Sequence, residues 1–170
     1  MDSNQAKTVA DFLIADFENE MQTTLRLIES VPGDTLDYRP DAKSKSALGL
    51  IRHIVLEDEW LLNCTADGVF TPPPDDSDAC GLMAPGAAAA RYKEKVPAAL
   101  ERVRALPGET LTKVIDLFGI IQMPTVNFLA LTLKHSVHHR GQLSTYLRPM
   151  GGRVPGIYGP SADTSSEGTM

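Results

Sequence analysis

Four segments of the chain repeat their apolar residues every three or four positions, the spacing that gives an α-helix one apolar face. This spacing predicts helices over 6–29, 47–66, 87–106 and 125–150. No internal repeat and no change of composition marks a second domain. We therefore predict an all-α fold, a four-helix bundle formed by residues 1–152, followed by a Gly/Pro/Ser-rich C-terminal tail over 153–170.

The first two predicted helices differ in how much of their surface is apolar. In the first helix the apolar positions form a single stripe, which consists of Val9, Phe12, Leu13, Phe17, Met21, Leu25 and Ile28. In the second helix apolar residues cover more than half of the circumference. A helix of the second kind is expected either at the centre of its bundle or beneath a second subunit.

Two connections are long enough to need an interpretation of their own. Residues 67–86 contain Pro72-Pro73-Pro74 and several small residues, which predicts a long loop between the second and third helices. This loop could be a lid over a site or a connector that runs over the surface. Residues 110–123 alternate partly and could form a short extended pair or an irregular turn. Pro97 predicts a kink in the third helix or a late helix start.

Composition excludes several classes of protein. Of the 170 residues, 42% are hydrophobic and 22% are charged, which is typical of a folded globular chain. A net charge of −6 without a cluster of basic residues argues against nucleic acid as a partner. The apolar runs are too short for a membrane-spanning helix, and the N-terminus lacks a signal-peptide pattern, so we expect a cytoplasmic protein. Two cysteines without a C-x-x-C pair exclude a disulfide framework.

All four histidines fall in the middle of predicted helices. His135 and His139 are four residues apart, so their side chains point in nearly the same direction, about 6 Å apart along the helix axis. His53, on the second helix, could supply a third imidazole. Three neutral imidazoles leave a coordination position open on a divalent metal ion, which is typical of catalytic sites. His138 is the alternative to His139, and single core histidines satisfied by hydrogen bonds are the simpler explanation for any one of them.

Two neighbours of these histidines are candidates for catalytic roles. Glu57 lies one helical turn after His53 on the same face, so its carboxylate could orient a metal-bound water molecule or accept its proton. Asp58 and Glu59 are expected to point elsewhere. Gln142, three residues after the last candidate ligand, could hydrogen-bond an imidazole or a substrate.

The segment His135-Ser136-Val137-His138-His139-Arg140-Gly141-Gln142 resembles the H-x-x-H-H-R-G-Q signature in the last helix of the DinB/YfiT-like family of metal-dependent enzymes. His53 is similar to the histidine that this family carries on its second helix. The resemblance implies an up-down-down-up bundle, a homodimer, and one divalent ion, zinc or nickel, held by His53, His135 and His139. Within the signature, Gly141 is expected to let a neighbouring helix approach closely.

The resemblance also implies a range of activities, because characterised members of the family include thiol-dependent S-transferases and isomerases. We therefore expect a metal-dependent transferase of the thiol type, or a hydrolase, that acts on a small molecule. A low-molecular-weight thiol is the expected co-substrate, since a metal ion favours the thiolate, which is the nucleophile. The alternative is a non-catalytic, metal-stabilised binding or stress-response module, in which the ion ties two helices together.

Overall fold

A computed structural model of the protein describes residues 1–164, so residues 165–170 of the predicted tail lie outside the described part. The fold is predominantly helical, as predicted. Its elements are α1 (Ser3–Glu29), α2 (Ala47–Asp67), a 3₁₀ turn (Asp78–Cys80), α3 (Pro85–Arg104), α4 (Gly108–Leu111), β1 (Val114–Leu117), β2 (Ile121–Pro124) and α5 (Thr125–Leu147). The four predicted helices correspond to α1, α2, α3 and α5.

Local signals set the helix ends. The Asp2 side chain accepts a hydrogen bond from the Gln5 backbone N–H, and the Asp2 backbone N–H donates to Oε1 of Gln5. This capping box starts α1 three residues before the predicted Ala6. Ser46 caps α2, and Gly68, with a φ of 71°, ends it. The third helix starts at Pro85, because proline suits the first helical turn, and it continues through the exposed Pro97.

The connector after α3 is an extended pair, one of the two alternatives that the sequence left open. β1 and β2 pair antiparallel with Val114 opposite Pro124 and Leu117 opposite Ile121. The turn between them has a left-handed backbone at Phe118 and Gly119, with φ values of 53° and 73°. The two strands thus form a hairpin that leads directly into α5.

Helix α2 packs between α3 and α5, and α1 packs between the same two helices on the opposite side of the bundle. The large buried apolar residues of α2 all belong to the core of this one chain: Leu50, Ile51, Ile54, Val55, Leu56, Leu61 and Leu62. The wide apolar surface of α2 therefore needs no second subunit to cover it. Phe12 departs from the prediction for α1, because its side chain is 69% exposed.

Contacts between the helices give their directions. Between α1 and α3, Glu18 pairs with Arg104, and the later Glu29 pairs with the earlier Lys93. At α2 and α5, the Lys45 carbonyl accepts from Tyr146, and the later Asp58 accepts from the earlier Ser136. Both of these helix pairs are antiparallel. Helices α2 and α3 are parallel, because Glu59 pairs with Arg91 and Asn63, further along α2, pairs with Arg102. The order is therefore up-down-down-up, as the resemblance implied.

The long loop over 68–84 follows from this topology. A chain that leaves the end of α2 and starts a parallel α3 must first return along the length of α2. Two hydrogen bonds show this path. The Trp60 indole, in the second half of α2, donates to the carbonyl of Thr71, early in the loop. The Arg52 guanidinium, in the first half of α2, donates to the carbonyl of Leu82, late in the loop. The loop thus runs back alongside α2, past the position of His53.

The first part of the predicted tail is tied to the bundle. Arg140 on α5 is buried, pairs with Glu20 on α1, and donates to the Tyr158 hydroxyl at 2.6 Å. Asp163 accepts hydrogen bonds from the Val154 backbone at 2.8 Å and from Arg148 at 3.0 Å. Residues 153–164 are therefore tied to the C-terminal part of α5 and, through Tyr158, to α1. Among the described residues, no helix combines the length and the apolar character that crossing a membrane requires.

Candidate metal centre

The structure brings His53 on α2 together with His135 and His139 on α5. One ring nitrogen from each of the three lies within 4.8 Å of the other two. The ring centroids are 4.4 Å apart for His135 and His139, 4.4 Å for His53 and His139, and 5.2 Å for His53 and His135. The antiparallel packing of α2 against α5 creates this cluster, since it places the middle of one helix against the middle of the other. We call these three residues the histidine cluster.

His138, the alternative to His139, does not join the histidine cluster. Its side chain is exposed and lines a groove between α5 and α1 that also contains Leu13 and Tyr158. The rotation of α5 about its axis decides between the two histidines, because they lie about 100° apart around the helix. His139 is the one that faces α2.

The ring nitrogens of His139 and His53 have distinct surroundings. His139 Nδ1 lies 2.7 Å from Gln142 Oε1, to which it can donate its proton. His139 Nε2 lies 3.2 Å from His53 Nε2. Gln142 therefore contacts an imidazole, which is one of the two roles considered for it. Because the proton of His139 is then on Nδ1, Nε2 keeps its lone pair and directs it toward the centre of the cluster.

Asp58 lies behind the cluster, although it was expected to point elsewhere. Its Oδ1 is 3.9 Å from Nδ1 of His135, and within residues 1–164 neither atom has a hydrogen-bond partner. The other oxygen, Oδ2, accepts hydrogen bonds from Tyr92 at 2.8 Å and Ser136 at 2.6 Å. The expectation was wrong because it measured the direction of Asp58 only relative to His53, whereas Asp58 faces the imidazole that α5 supplies.

Two carboxylates flank His53. Glu57 Oε1 lies 4.0 Å from His53 Nδ1, and Asp76 Oδ2, from the 68–84 loop, lies 3.8 Å from the same atom. Lys45 donates to Asp76 at 2.6 Å. Glu57 is on the predicted face. Asp76 had no sequence signal beyond its place in a long polar loop, because only the path of that loop brings it to the cluster.

Burial and the proximity of neighbouring rings favour the uncharged form of two of the imidazoles, those of His53 and His139. Burial, followed by the nearby rings of His139 and His135, lowers the pKa of His53 to about 4. Burial also lowers the pKa of His139. Both rings are thus neutral at neutral pH, which is the form that binds a metal ion. Burial raises the pKa of Glu57, so this carboxyl holds a proton more readily than an exposed glutamate does.

The donor set fits a divalent metal ion. A shared ion would take the lone pairs of the inward-facing nitrogens, and each Nδ1 would then keep its proton and turn it toward an oxygen. The structure already places an oxygen of Gln142, Asp58 or Asp76 on that side of each ring. Oδ1 of Asp58 and Nδ1 of His135, two of the buried atoms that lack a hydrogen-bond partner within residues 1–164, are the groups that such an arrangement would pair. Three imidazoles suit zinc, nickel, copper and iron alike.

A cavity of about 300 Å³ adjoins the cluster at His139. Its lining includes Lys43, Lys45, Gln142 and Tyr146. The size is at the lower end of that of small-molecule sites. Trp60 of α2 lines a separate cavity with Thr71, and none of the described histidines lines that cavity.

Comparisons with known proteins place the chain among DinB proteins. The sequence model of the DinB family matches residues 3–169. The chain is 28% identical over 141 residues to the uncharacterized protein YjoA of Bacillus subtilis, covering 82% of this chain and 89% of that protein. It is 27% identical over 157 residues to the uncharacterized protein YrdA of the same organism, covering 90% of each.

Solved structures share the fold. A crystal structure of a DinB-like protein from Bacillus cereus superimposes with a TM-score of 0.69 at 22% identity, over 86% of this chain and 95% of that one. The crystal structure of the DinB-like protein YjoA from Bacillus subtilis gives a TM-score of 0.66 at 28% identity, over 91% and 99% of the two chains. Because the family model matches nearly the whole chain, this protein belongs to the DinB family.

Proposed function

We propose that the protein binds one divalent metal ion, zinc or nickel, through His53, His135 and His139, and uses it in a reaction on a small molecule. The observation that carries this proposal is the orientation of the rings. Nε2 of His53 and Nε2 of His139 face each other at 3.2 Å, and Nδ1 of each cluster histidine faces an oxygen atom. A hydrogen bond between the two Nε2 atoms would account for one pair of rings, whereas a shared metal ion accounts for the convergence of all three.

The reaction that we propose is a thiol transfer, with hydrolysis as the variant. A divalent ion at this site supplies the charge that favours the thiolate of a bound thiol or the deprotonated form of water. The side chains of the protein orient the ligands: Gln142 orients His139, and Asp58 orients His135. Glu57, whose pKa burial raises, is placed to accept and hold the proton that the nucleophile gives up.

The substrate of the proposed reaction is a small molecule, and a low-molecular-weight thiol is the proposed co-substrate. The cavity beside His139 has the volume for a molecule of this size, about 300 Å³. Its lysines and the Gln142 amide provide polar groups that could orient such a ligand. We also propose, on the strength of family membership, that two chains associate as a homodimer.

Metal analysis of protein purified without an affinity tag or added metal tests the site. We expect about one zinc or nickel ion per chain in the wild type, and strong loss of metal in His53→Ala, His135→Ala and His139→Ala. His138→Ala is the matched control, since it removes an imidazole from the same helix outside the cluster. Full metal content in His139→Ala, or loss of metal in His138→Ala, would contradict the proposal.

Activity separates the enzyme from the alternative. We expect metal-loaded wild-type protein to conjugate a thiol to a model electrophile and His139→Ala not to do so. The alternative, a non-catalytic metal-stabilised module, is favoured by the fact that the cluster joins α2 to α5. In that case removal of the metal lowers thermal stability while no thiol or hydrolytic reaction occurs across a substrate panel.

A further inference from the structure

We propose that the 68–84 loop is part of the metal centre, and that its Asp76 is a positioning residue that fixes the ring of His53. This inference rests on the proposed function, because it assigns Asp76 a role toward a metal ion held by the histidine cluster. The carboxylate would accept the Nδ1 proton of His53, so that Nε2 keeps its lone pair for the ion. Docking of the loop and binding of the metal would then stabilise each other.

The path of the loop supports this role. Arg52, the residue before His53, is only 5% exposed and holds the second half of the loop at three points. It donates to the Leu82 carbonyl at 2.7 Å and to the Met83 sulfur at 2.9 Å, and it pairs with Asp78 at 2.7 Å. A buried guanidinium with directed bonds defines the position of the segment that it holds. The loop therefore has a definite place beside His53.

The position of Asp76 within that loop is also defined. Lys45, just before α2, donates to Oδ2 of Asp76 at 2.6 Å, and the same oxygen lies 3.8 Å from His53 Nδ1. This separation is longer than a hydrogen bond, but a small movement of either side chain would close it. The ion pair with Lys45 holds this oxygen on the side of the carboxylate that His53 occupies.

In the other two histidines of the cluster, Nδ1 already faces an oxygen atom of a neighbouring side chain, and Asp76 supplies the corresponding oxygen for His53. Gln142 accepts from His139, and Asp58 faces His135. Glu57 also approaches His53, at 4.0 Å, but it is the less suitable acceptor. Asp76 lies slightly nearer to the same nitrogen, at 3.8 Å, and Lys45 holds its carboxylate there through an ion pair at 2.6 Å. With Asp76 assigned, each ligand ring has its own oxygen, and each oxygen comes from a different element.

Competition with a chromophoric chelator for zinc tests the assignment. We expect Asp76→Ala to bind zinc about 10-fold to 100-fold more weakly than the wild type, the usual effect of losing such an oxygen. Asp75→Ala is the matched control, because Asp75 is the preceding acidic residue and bonds only to Ser77 among the described residues. Its zinc affinity should stay within about threefold of the wild type. Glu57→Gln should weaken zinc binding less than Asp76→Ala does.

Hydrogen exchange of the loop tests the reciprocal effect. Zinc should slow the exchange of backbone amides over 68–84 in the wild type and in Asp75→Ala, and should do so much less in Asp76→Ala. The melting temperature of the metal-free protein should be the same in all three, which separates a positioning role from a structural one.

The outcomes separate this inference from the proposed function. A wild-type protein that binds no metal overturns both. A wild type that binds zinc, with Asp76→Ala binding it equally tightly, overturns the role of Asp76 and leaves the three-histidine site standing. The same holds if Glu57→Gln, and not Asp76→Ala, accounts for the loss of affinity, or if zinc does not change exchange in the loop.

Discussion

Asp58 shows how much of the centre depends on a single side chain. Its carboxyl is completely buried, and it receives two hydrogen bonds from Tyr92 and Ser136. A buried acid costs free energy unless it is paired or hydrogen-bonded. In this structure one oxygen is satisfied, and the other faces His135. The residue thus joins α2 to α3 and α5 through one oxygen and is placed to hold the orientation of an imidazole with the other.

Replacing Asp58 by Asn tests that role. The amide keeps the shape but loses the charge that holds the Nδ1 proton of His135, so we expect zinc affinity to fall about 10-fold to 100-fold. Chelator competition measures it. Tyr92→Phe is the control, since it removes a hydrogen bond to the other oxygen. That change should cost about 1 kcal/mol of stability and leave zinc affinity nearly unchanged. Equal zinc affinity of Asp58→Asn and the wild type would exclude the role.

Two glycines differ in what surrounds them. A Cβ at Gly108 would lie 2.2 Å from the backbone oxygen of Ser3, so α1 and α4 can approach closely only because this side chain is absent. Gly141 was expected to allow such an approach, and that expectation was wrong. A Cβ there would meet no atom of the described residues within 4 Å. The glycine of the histidine signature is exposed on α5.

The two alanine variants should therefore change stability in opposite directions. Gly108→Ala forces the start of α1 away from α4 and should cost about 1–3 kcal/mol. Gly141→Ala should add up to about 1 kcal/mol, because alanine favours the interior of a helix. Chemical denaturation of both variants measures these changes. A neutral Gly108→Ala would mean that α1 and α4 do not pack as closely as described.

At the scale of elements, the centre depends on a helix pair and a loop. Helices α2 and α5 supply the histidines, and the 68–84 loop returns along α2 because α3 runs parallel to it. The loop contains no helix or strand longer than the 3₁₀ turn over Asp78–Cys80, so the bonds from Arg52 are important for its position. The sequence left two alternatives for this loop, a lid over a site or a surface connector. The loop connects α2 to α3, and its path takes it past His53.

Arg52→Ala should release the second half of the loop. It leaves the Leu82 carbonyl unpaired and Asp78 without its partner, which should destabilise the protein by about 2–4 kcal/mol. Thermal unfolding measures the loss, and limited proteolysis should show earlier cleavage within 68–84. Arg39→Ala, at an exposed position, is the control and should change neither. Unchanged proteolysis of Arg52→Ala would contradict the anchoring role.

At the scale of the whole molecule, a metal ion would join two helices that are far apart in sequence. We expect saturating zinc to stabilise the fold, by about 2.7 kcal/mol at a free concentration 100 times the dissociation constant. For a chain of this size, that corresponds to a rise in melting temperature of roughly 5–10 °C. Differential scanning calorimetry measures it. His138→Ala should show the same rise and His139→Ala almost none; a rise in both would place the ion elsewhere.

The homodimer also belongs to this scale, and it stays a prediction. The wide apolar surface of α2 no longer supports it, because the core of one chain buries that surface. Sedimentation equilibrium should give a mass of twice 18.4 kDa if the prediction inferred from the family holds. A monomer at micromolar concentration would contradict it without affecting the metal site.

The sequence by itself determined the features that depend on neighbouring residues. Helical spacing located the four helices, and the interval between His135 and His139 placed two imidazoles on one helix face. These are local properties, since a helix repeats with its own period whatever it packs against. Tertiary structure decided the rest. The choice of His139 over His138 depends on the rotation of α5, the place of Asp58 on its packing against α2, and the place of Asp76 on the path of a loop between parallel helices. Each is a relation between segments distant in the chain, and no short-range pattern encodes the distance between them.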